Sequence, residues 1–170
     1  MRLLIGTAIC VFVLDQVIKF FVLFRVFHLP TSIVGMDVSQ LPYPPAVDVV
    51  DPFLVLTMAW NKGINFGLFA GYDLRWVLIG VAFAICLFVV WWLRREPPGK
   101  WGYFSAGLLI GGALGNVIDR ILYGAVADFL NMSCCGFRNP YAFNVADITI
   151  FLGAVGLVLF TDSGTKNKTT

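Results

Sequence analysis

Four stretches of this chain, at about 3–24, 76–93, 103–123 and 145–161, run almost uninterrupted through Leu, Ile, Val, Phe, Ala and Gly. A hydrocarbon core about 30 Å thick takes roughly 20 helical residues to cross, so each stretch suits a transmembrane helix. Inside a bilayer every backbone N–H and C=O must be satisfied without water, and a helix does this within one segment. The chain is therefore expected to be an α-helical membrane protein with four transmembrane helices, organised as one domain over residues 1–170. Its charged residues make up 13% of the chain, about half the 25% or so of a soluble domain, and its mean hydropathy is +0.84.

The first stretch, "MRLLIGTAICVFVL", has the positive residue and short apolar run of a secretory signal peptide. It lacks an A-x-A-like cleavage site and continues through Asp15 and Lys19 into more apolar sequence, so it reads as a retained helix. Lys and Arg near helix ends set orientation. Arg2, Arg94, Arg95, Lys100, Lys166 and Lys168 crowd into short segments, while Arg25, Lys62, Arg75 and Arg138 are spread over two long ones, about 25–75 and 124–144. Both termini are accordingly expected in the cytoplasm and the long segments outside.

Residues 29–52 of the outer segment, with "LPYPPAVDVVDP", read as an irregular loop. The following "FLVLTMAWNKGINFGLF" places β-branched and aromatic residues around an Asn-Lys-Gly turn signal, which predicts short strands or a hairpin at the membrane surface. Trp60, Phe66, Phe69 and Trp76 suit an interfacial position. No basic stripe interleaved with aromatics is present, so nucleic acid is not an expected partner. Cys10 and Cys86 fall inside predicted helices, and Cys134 and Cys135 are neighbours whose α-carbons lie too close for an unstrained disulfide. No Cys or His spacing resembles a metal site, and neither a metal nor a cofactor is expected.

Against this apolar background stand Asp15, Lys19, Asn116, Asp119, Arg120, Asp128, Asn144 and Asp147, within the spans or at their ends. A charge at the bilayer centre costs about 2.5–3.5 kcal/mol on insertion scales, so such residues usually face protein or a wet cavity. Asp15 and Lys19 share a helix face at i, i+4, as do Asn116, Asp119 and Arg120 at i, i+3, i+4; Asn144 and Asp147 are spaced i, i+3. The expected topology puts Asp128 and Asp147 at one membrane level. Two carboxylates in reach of each other share a proton and can activate water for attack on a peptide carbonyl without Ser, Cys or metal. Ser105 has no His partner in the spans, His28 lies in the outer loop, and no G-x-S-x-G occurs. Spacing alone leaves three readings open: an aspartic dyad, a proton or ion pathway such as that of a small proton-coupled carrier, and polar packing that locks helices together.

Four ordered motifs carry more: "LDQVIKFFV", "NKGINFGLF", "GGALGNVIDRILYGAVADFL" and "FNVADITIFLG". Through these ordered motifs the match runs over nearly the whole chain, which resembles the lipoprotein signal peptidase family (signal peptidase II) of bacterial membrane aspartic peptidases. The resemblance implies a four-helix membrane domain with a small periplasmic β-sheet cradle and an extended arm. It implies an aspartic endopeptidase of the bacterial inner membrane, with its site near the periplasmic face. Its substrate would be a diacylglyceryl-modified prolipoprotein, cleaved on the amino side of the lipidated cysteine. Membrane lipids are the other implied partner, and a monomer suffices because one chain completes the site. Asp128 and Asp147 fall on the catalytic aspartates; Asn61, Asn116, Asp119, Arg120 and Asn144 fall on residues that bind substrate or support the dyad. Asp15, Lys19 and Gly63 fall on supporting positions. The chain departs from the family at Ile64 and Asn65, where small residues are common, and the resemblance assigns nothing to Cys134 and Cys135.

Overall fold

The structure, a computed structural model, describes residues 1–38, 41–51, 53–63, 74–135 and 139–161. Ile64, Asn65, Phe66, Phe69, Arg138 and the tail with Lys166 and Lys168 lie outside the described residues. Along the chain come helix α1 (Arg2–Phe21), strands β1 (Val47–Val50) and β2 (Leu54–Asn61), and helices α2 (Arg75–Arg95) and α3 (Lys100–Tyr123). Strand β3 (Val126–Asn131) and helix α4 (Val145–Thr161) complete the order. A π-helical turn, Val22–Val26, extends α1. Apolar helices with a small sheet are the expected class, and the structure bears it out.

Among the described residues, three helices are long and apolar enough to cross a membrane: Arg2–Val26, Arg75–Arg95 and Lys100–Tyr123. The 17 residues of α4 reach the short end of the spanning range. The chain divides into two compact units: Met1–Gln16, Ile79–Asn116 and Val145–Thr170 in one, Val17–Leu78 and Val117–Asn144 in the other.

The first unit is helical. Leu4 and Ala8 of α1, Cys86, Val89 and Leu93 of α2, Ala106, Leu109, Ile110 and Ala113 of α3, and Leu157 of α4 form its core. Its outward side chains are no less oily: Ile9, Leu87 and Val158 are 58%, 69% and 73% exposed. Apolar surface on both sides is what a lipid-bathed helix presents. Burying oil against oil drives nothing in lipid, so close packing must hold these helices together, and small residues permit it. A β-carbon on Gly111 of α3 would sit 2.6 Å from the Ala8 carbonyl of α1; one on Gly112 would sit 2.6 Å from the Ala146 carbonyl of α4.

The second unit holds the sheet, an antiparallel β1-β2-β3. Val47 faces Leu56 across the first pair; Val55 faces Asn131 and Asn61 faces Val126 across the second. Leu23 and Phe27, just after α1, pack with Met58 of β2 and with Ala127 and Phe129 of β3. Side chains alternate along a strand, so committing Ala127 and Phe129 to that core turns Asp128 to the opposite face. The β2–β3 register shifts between Leu56 and Ala59, and Ala59 is the partner of Asp128. Such irregularities re-aim a neighbouring side chain. Two readings need correction: residues 29–52 are not wholly irregular, since Val47–Val50 is a strand, and Asp128 sits on a strand rather than at a helix exit. Gly124, at φ +75°, lets α3 end and the chain turn into β3.

Replacing Gly112 by Ala should cost about 1–3 kcal/mol of stability, because the new methyl meets backbone that cannot give way. Gly80→Ala, which has nothing within 4 Å of the added carbon, should unfold with the parent in the same detergent melt.

Candidate active site

In the second unit Asp128 is 3% exposed, and both of its carboxylate oxygens are met by side-chain amides. Asn144 Nδ2 donates to Oδ1 at 2.6 Å, and Asn61 Nδ2 donates to Oδ2 at 3.1 Å. The orientation of the Asn61 amide is itself fixed, because its Oδ1 accepts the Gly63 N–H at 2.9 Å. Gly63 has φ +117°, a backbone that glycine adopts freely and other residues rarely do. The Asn-Lys-Gly turn thus aims a donor at the end of β2 toward the carboxylate of β3.

The same unit holds a buried ion pair. Lys19 Nζ of α1 lies 2.8 Å from Asp119 Oδ2 of α3, with both side chains at most 3% exposed. The same Asp119 oxygen accepts the Ala127 N–H at 3.2 Å. Ala127 immediately precedes Asp128, so this contact fixes the backbone that carries Asp128. Arg120, next to Asp119 in the last turn of α3, is half-buried, and its carbonyl accepts the Gly124 N–H at 3.1 Å.

The first unit repeats the plan on Asp147. Asn116 Nδ2 of α3 donates to Asp147 Oδ1 at 2.9 Å. Asp15, fully buried on α1, accepts the Ala146 N–H at 3.0 Å. That N–H opens α4 and has no partner within its own helix, so the carboxylate supplies one and also complements the positive end of the helix dipole. Ala146 immediately precedes Asp147. Gln16 Nε2 donates to the other Asp15 oxygen at 3.1 Å, and Gly115 keeps α3 close: a β-carbon there would lie 2.5 Å from Asp15 Oδ2.

Each of the two aspartates therefore receives an asparagine amide, and each follows a residue whose backbone N–H is held by a deeply buried aspartate. Sequence reasoning picked out the ten polar and glycine positions but missed Gln16, whose only signal was its place beside Asp15. It also missed the exposed ion pair of Lys62 Nζ with Asp37 Oδ1 at 3.2 Å. Among the described residues no cluster of three or more His, Cys, Asp and Glu side chains could hold a metal.

A family model described as signal peptidase (SPase) II matches residues 7–162. The chain belongs to the signal peptidase II family. Proteins named lipoprotein signal peptidase resemble it: that of Methylobacterium sp. (strain 4-46) is 36% identical over 92% of this chain and 87% of its own length. That of Aeromonas hydrophila is 39% identical over 89% and 83%. A third, from Ralstonia nicotianae, is 46% identical over 63% of this chain and spans 62% of that protein. Two solved bacterial membrane enzymes share the fold, each with a TM-score of 0.73. The first is 25% identical, covering 99% of this chain and 93% of its own; the second is 23% identical, covering 100% and 96%. Signal peptidase II membership makes this chain a hydrolase of the protease class, engaged in lipoprotein processing, and its apolar helices fit a bacterial membrane location.

The ion pair sets the prediction here. Removing one partner of a buried pair strands the other charge at a cost of about 3–5 kcal/mol. Lys19→Met should lower unfolding stability in detergent by that order, and adding Asp119→Leu should recover part of the loss. Equal stability of Lys19→Met and the parent contradicts the buried pairing.

Proposed function

We propose that this chain is an aspartic endopeptidase that removes the signal peptide from diacylglyceryl-modified prolipoproteins, cleaving on the amino side of the lipidated cysteine. Family membership supports prolipoprotein signal-peptide cleavage. The observation that carries the aspartic mechanism is the provision for Asp128 and Asp147: neutral amide donors on each carboxylate, and a buried aspartate holding the backbone before each one. Ser105, the serine within the spans, is committed elsewhere: its Oγ donates to the Trp101 carbonyl of its own helix at 2.8 Å. The carrier reading finds no support in a family of peptidases.

In this reading Asp128 and Asp147 work as a pair that shares one proton. The ionised member takes a proton from a water molecule as the water oxygen bonds to the scissile carbonyl carbon. The protonated member gives its proton to the carbonyl oxygen, and a neutral tetrahedral diol results. On collapse the carbon–nitrogen bond breaks and a proton passes from the pair to the leaving amine, restoring the shared-proton state. Amides suit this work: they orient a carboxylate without adding the positive charge that would hold it ionised. Arg120, permanently charged, would bind the substrate backbone. Asn61, Asn116 and Asn144 are positioning residues, and Lys19, Asp119, Asp15 and Gly63 support them. The site would lie near the periplasmic face of the inner membrane, with both termini in the cytoplasm and one chain sufficient.

The test is cleavage of a diacylglyceryl-modified prolipoprotein by purified protein, followed by gel shift. Asp128→Asn and Asp147→Asn should each lower the rate roughly 100- to 10,000-fold, the usual size of a general acid–base contribution, while the protein elutes as the parent does. Unimpaired cleavage by either variant overturns the assignment.

A further inference from the structure

The loop after β3 carries Cys134 and Cys135, which the peptidase reading leaves unused. Adjacent residues on an extended strand send their side chains to opposite faces. Here Cys135 adopts φ +57°, a left-handed conformation uncommon outside glycine, Asn and Asp. With that turn the two sulfur atoms lie 2.8 Å apart, and both residues are exposed free thiols.

The loop is braced around them by bonds that leave the sulfurs out. Asn131 Nδ2 donates to the Asn139 and Tyr141 carbonyls at 2.7 and 3.0 Å. Ser133 Oγ donates to Asn131 Oδ1 at 3.0 Å and accepts the Asn139 N–H at 3.1 Å. A cavity of about 690 Å³ opens beside the thiols, walled by Val50, Phe53, Leu54 and Met132. The geometry is that of two soft donors held side by side against an apolar wall.

We propose that Cys134 and Cys135 form a bidentate site for trivalent, thiophilic metalloids of the organoarsenical class. Three features choose this ligand over a metal ion. Structural zinc takes four ligands, and among the described residues there is no cluster of three or more His, Cys, Asp and Glu. A trivalent metalloid with one organic substituent needs only two sulfurs from the protein. The Cys134 S–H donates to Cys135, which together with some desolvation pushes the Cys134 thiol above its ordinary pKa and disfavours its thiolate. A metalloid oxide condenses with neutral thiols, whereas a metal ion requires thiolates. Finally, the apolar wall receives the organic substituent. A disulfide is the poorer fit for this pair, since it needs the sulfurs at about 2.05 Å across neighbouring α-carbons, while a ring closed through one bridging atom needs them slightly further apart than they are.

The reaction balances without an oxidant. Two S–H bonds break and two arsenic–sulfur bonds form; the two protons leave with the oxide oxygen as water, and neither arsenic nor sulfur changes oxidation state.

The probe is phenylarsine oxide added to the full-length protein in detergent. One arsenical should bind per chain with the loss of two titratable thiols, survive excess monothiol, and be released by a small dithiol. Cys134→Ser and Cys135→Ser each leave a single sulfur and lose the ring, so retention against monothiol should fall at least about 100-fold, the usual advantage of a linked second contact. Cys10→Ser and Cys86→Ser should retain the arsenical as the parent does. The proposal fails if either loop variant retains it like the parent, or if the parent binds none. A parent mass lower by two hydrogens, the mark of a pre-formed disulfide, also overturns it.

Discussion

A carboxylate placed in an apolar interior must be given hydrogen-bond donors there, and the rest of this structure depends on how that is done. Asp15 and Asp119 are fully buried and Asp128 nearly so. An unpaired buried charge costs several kcal/mol, so none of the three can be an incidental polar residue. Asp15 holds the Ala146 N–H, and Asp119 holds the Ala127 N–H together with the Lys19 ammonium. What these aspartates grip is backbone, and in both cases it is the residue just before another aspartate. The helices thereby fix the first turn of α4, which carries Asp147, and the strand β3, which carries Asp128.

This arrangement separates two jobs that one acidic residue could not do well at once. Asp15 takes a backbone N–H and the Gln16 amide, and Asp119 takes a backbone N–H and the Lys19 ammonium. Asp128 and Asp147 are held by amides from Asn61, Asn144 and Asn116, donors that orient them without adding charge. The glycines of α3 belong to the same scheme. Gly112 brings α4 near, and Gly115 leaves room for Asp15; a side chain at either position would push apart the groups that carry the hydrogen bonds.

The helices were legible in the sequence because an apolar run of about 20 residues in a chain this oily has few alternatives. The strands were less so. Val47–Val50 is only four residues long and lies in a Pro- and Asp-rich stretch whose turn signals hide it, and "VADFLN" follows a helix so closely that Asp128 reads as part of its exit. What makes "VADFLN" a strand is pairing with β2, a partner far away in sequence. The chemical nature of the site residues was readable from their rarity among apolar neighbours, but their contacts were not. Asn61 and Asp128 are 67 positions apart, and Asp15 and Ala146 are 131 apart, so no local spacing could reveal that one donates an amide or that the other closes a helix end. The i, i+4 spacing put Asp15 and Lys19 on one helix face, but it could not show that Lys19 meets the carboxylate of Asp119 or that Asp15 receives the start of α4.

The central claim is that Asp128 and Asp147 carry out the hydrolysis as a pair sharing one proton. The pH dependence of kcat/KM for cleavage of a diacylglyceryl-modified prolipoprotein tests it most directly, because such a pair works only while it holds a single proton. The account predicts a bell-shaped profile, with activity falling on the acid side as the second proton binds and on the alkaline side as the last one leaves. Activity that climbs with pH to a plateau and stays there would contradict it.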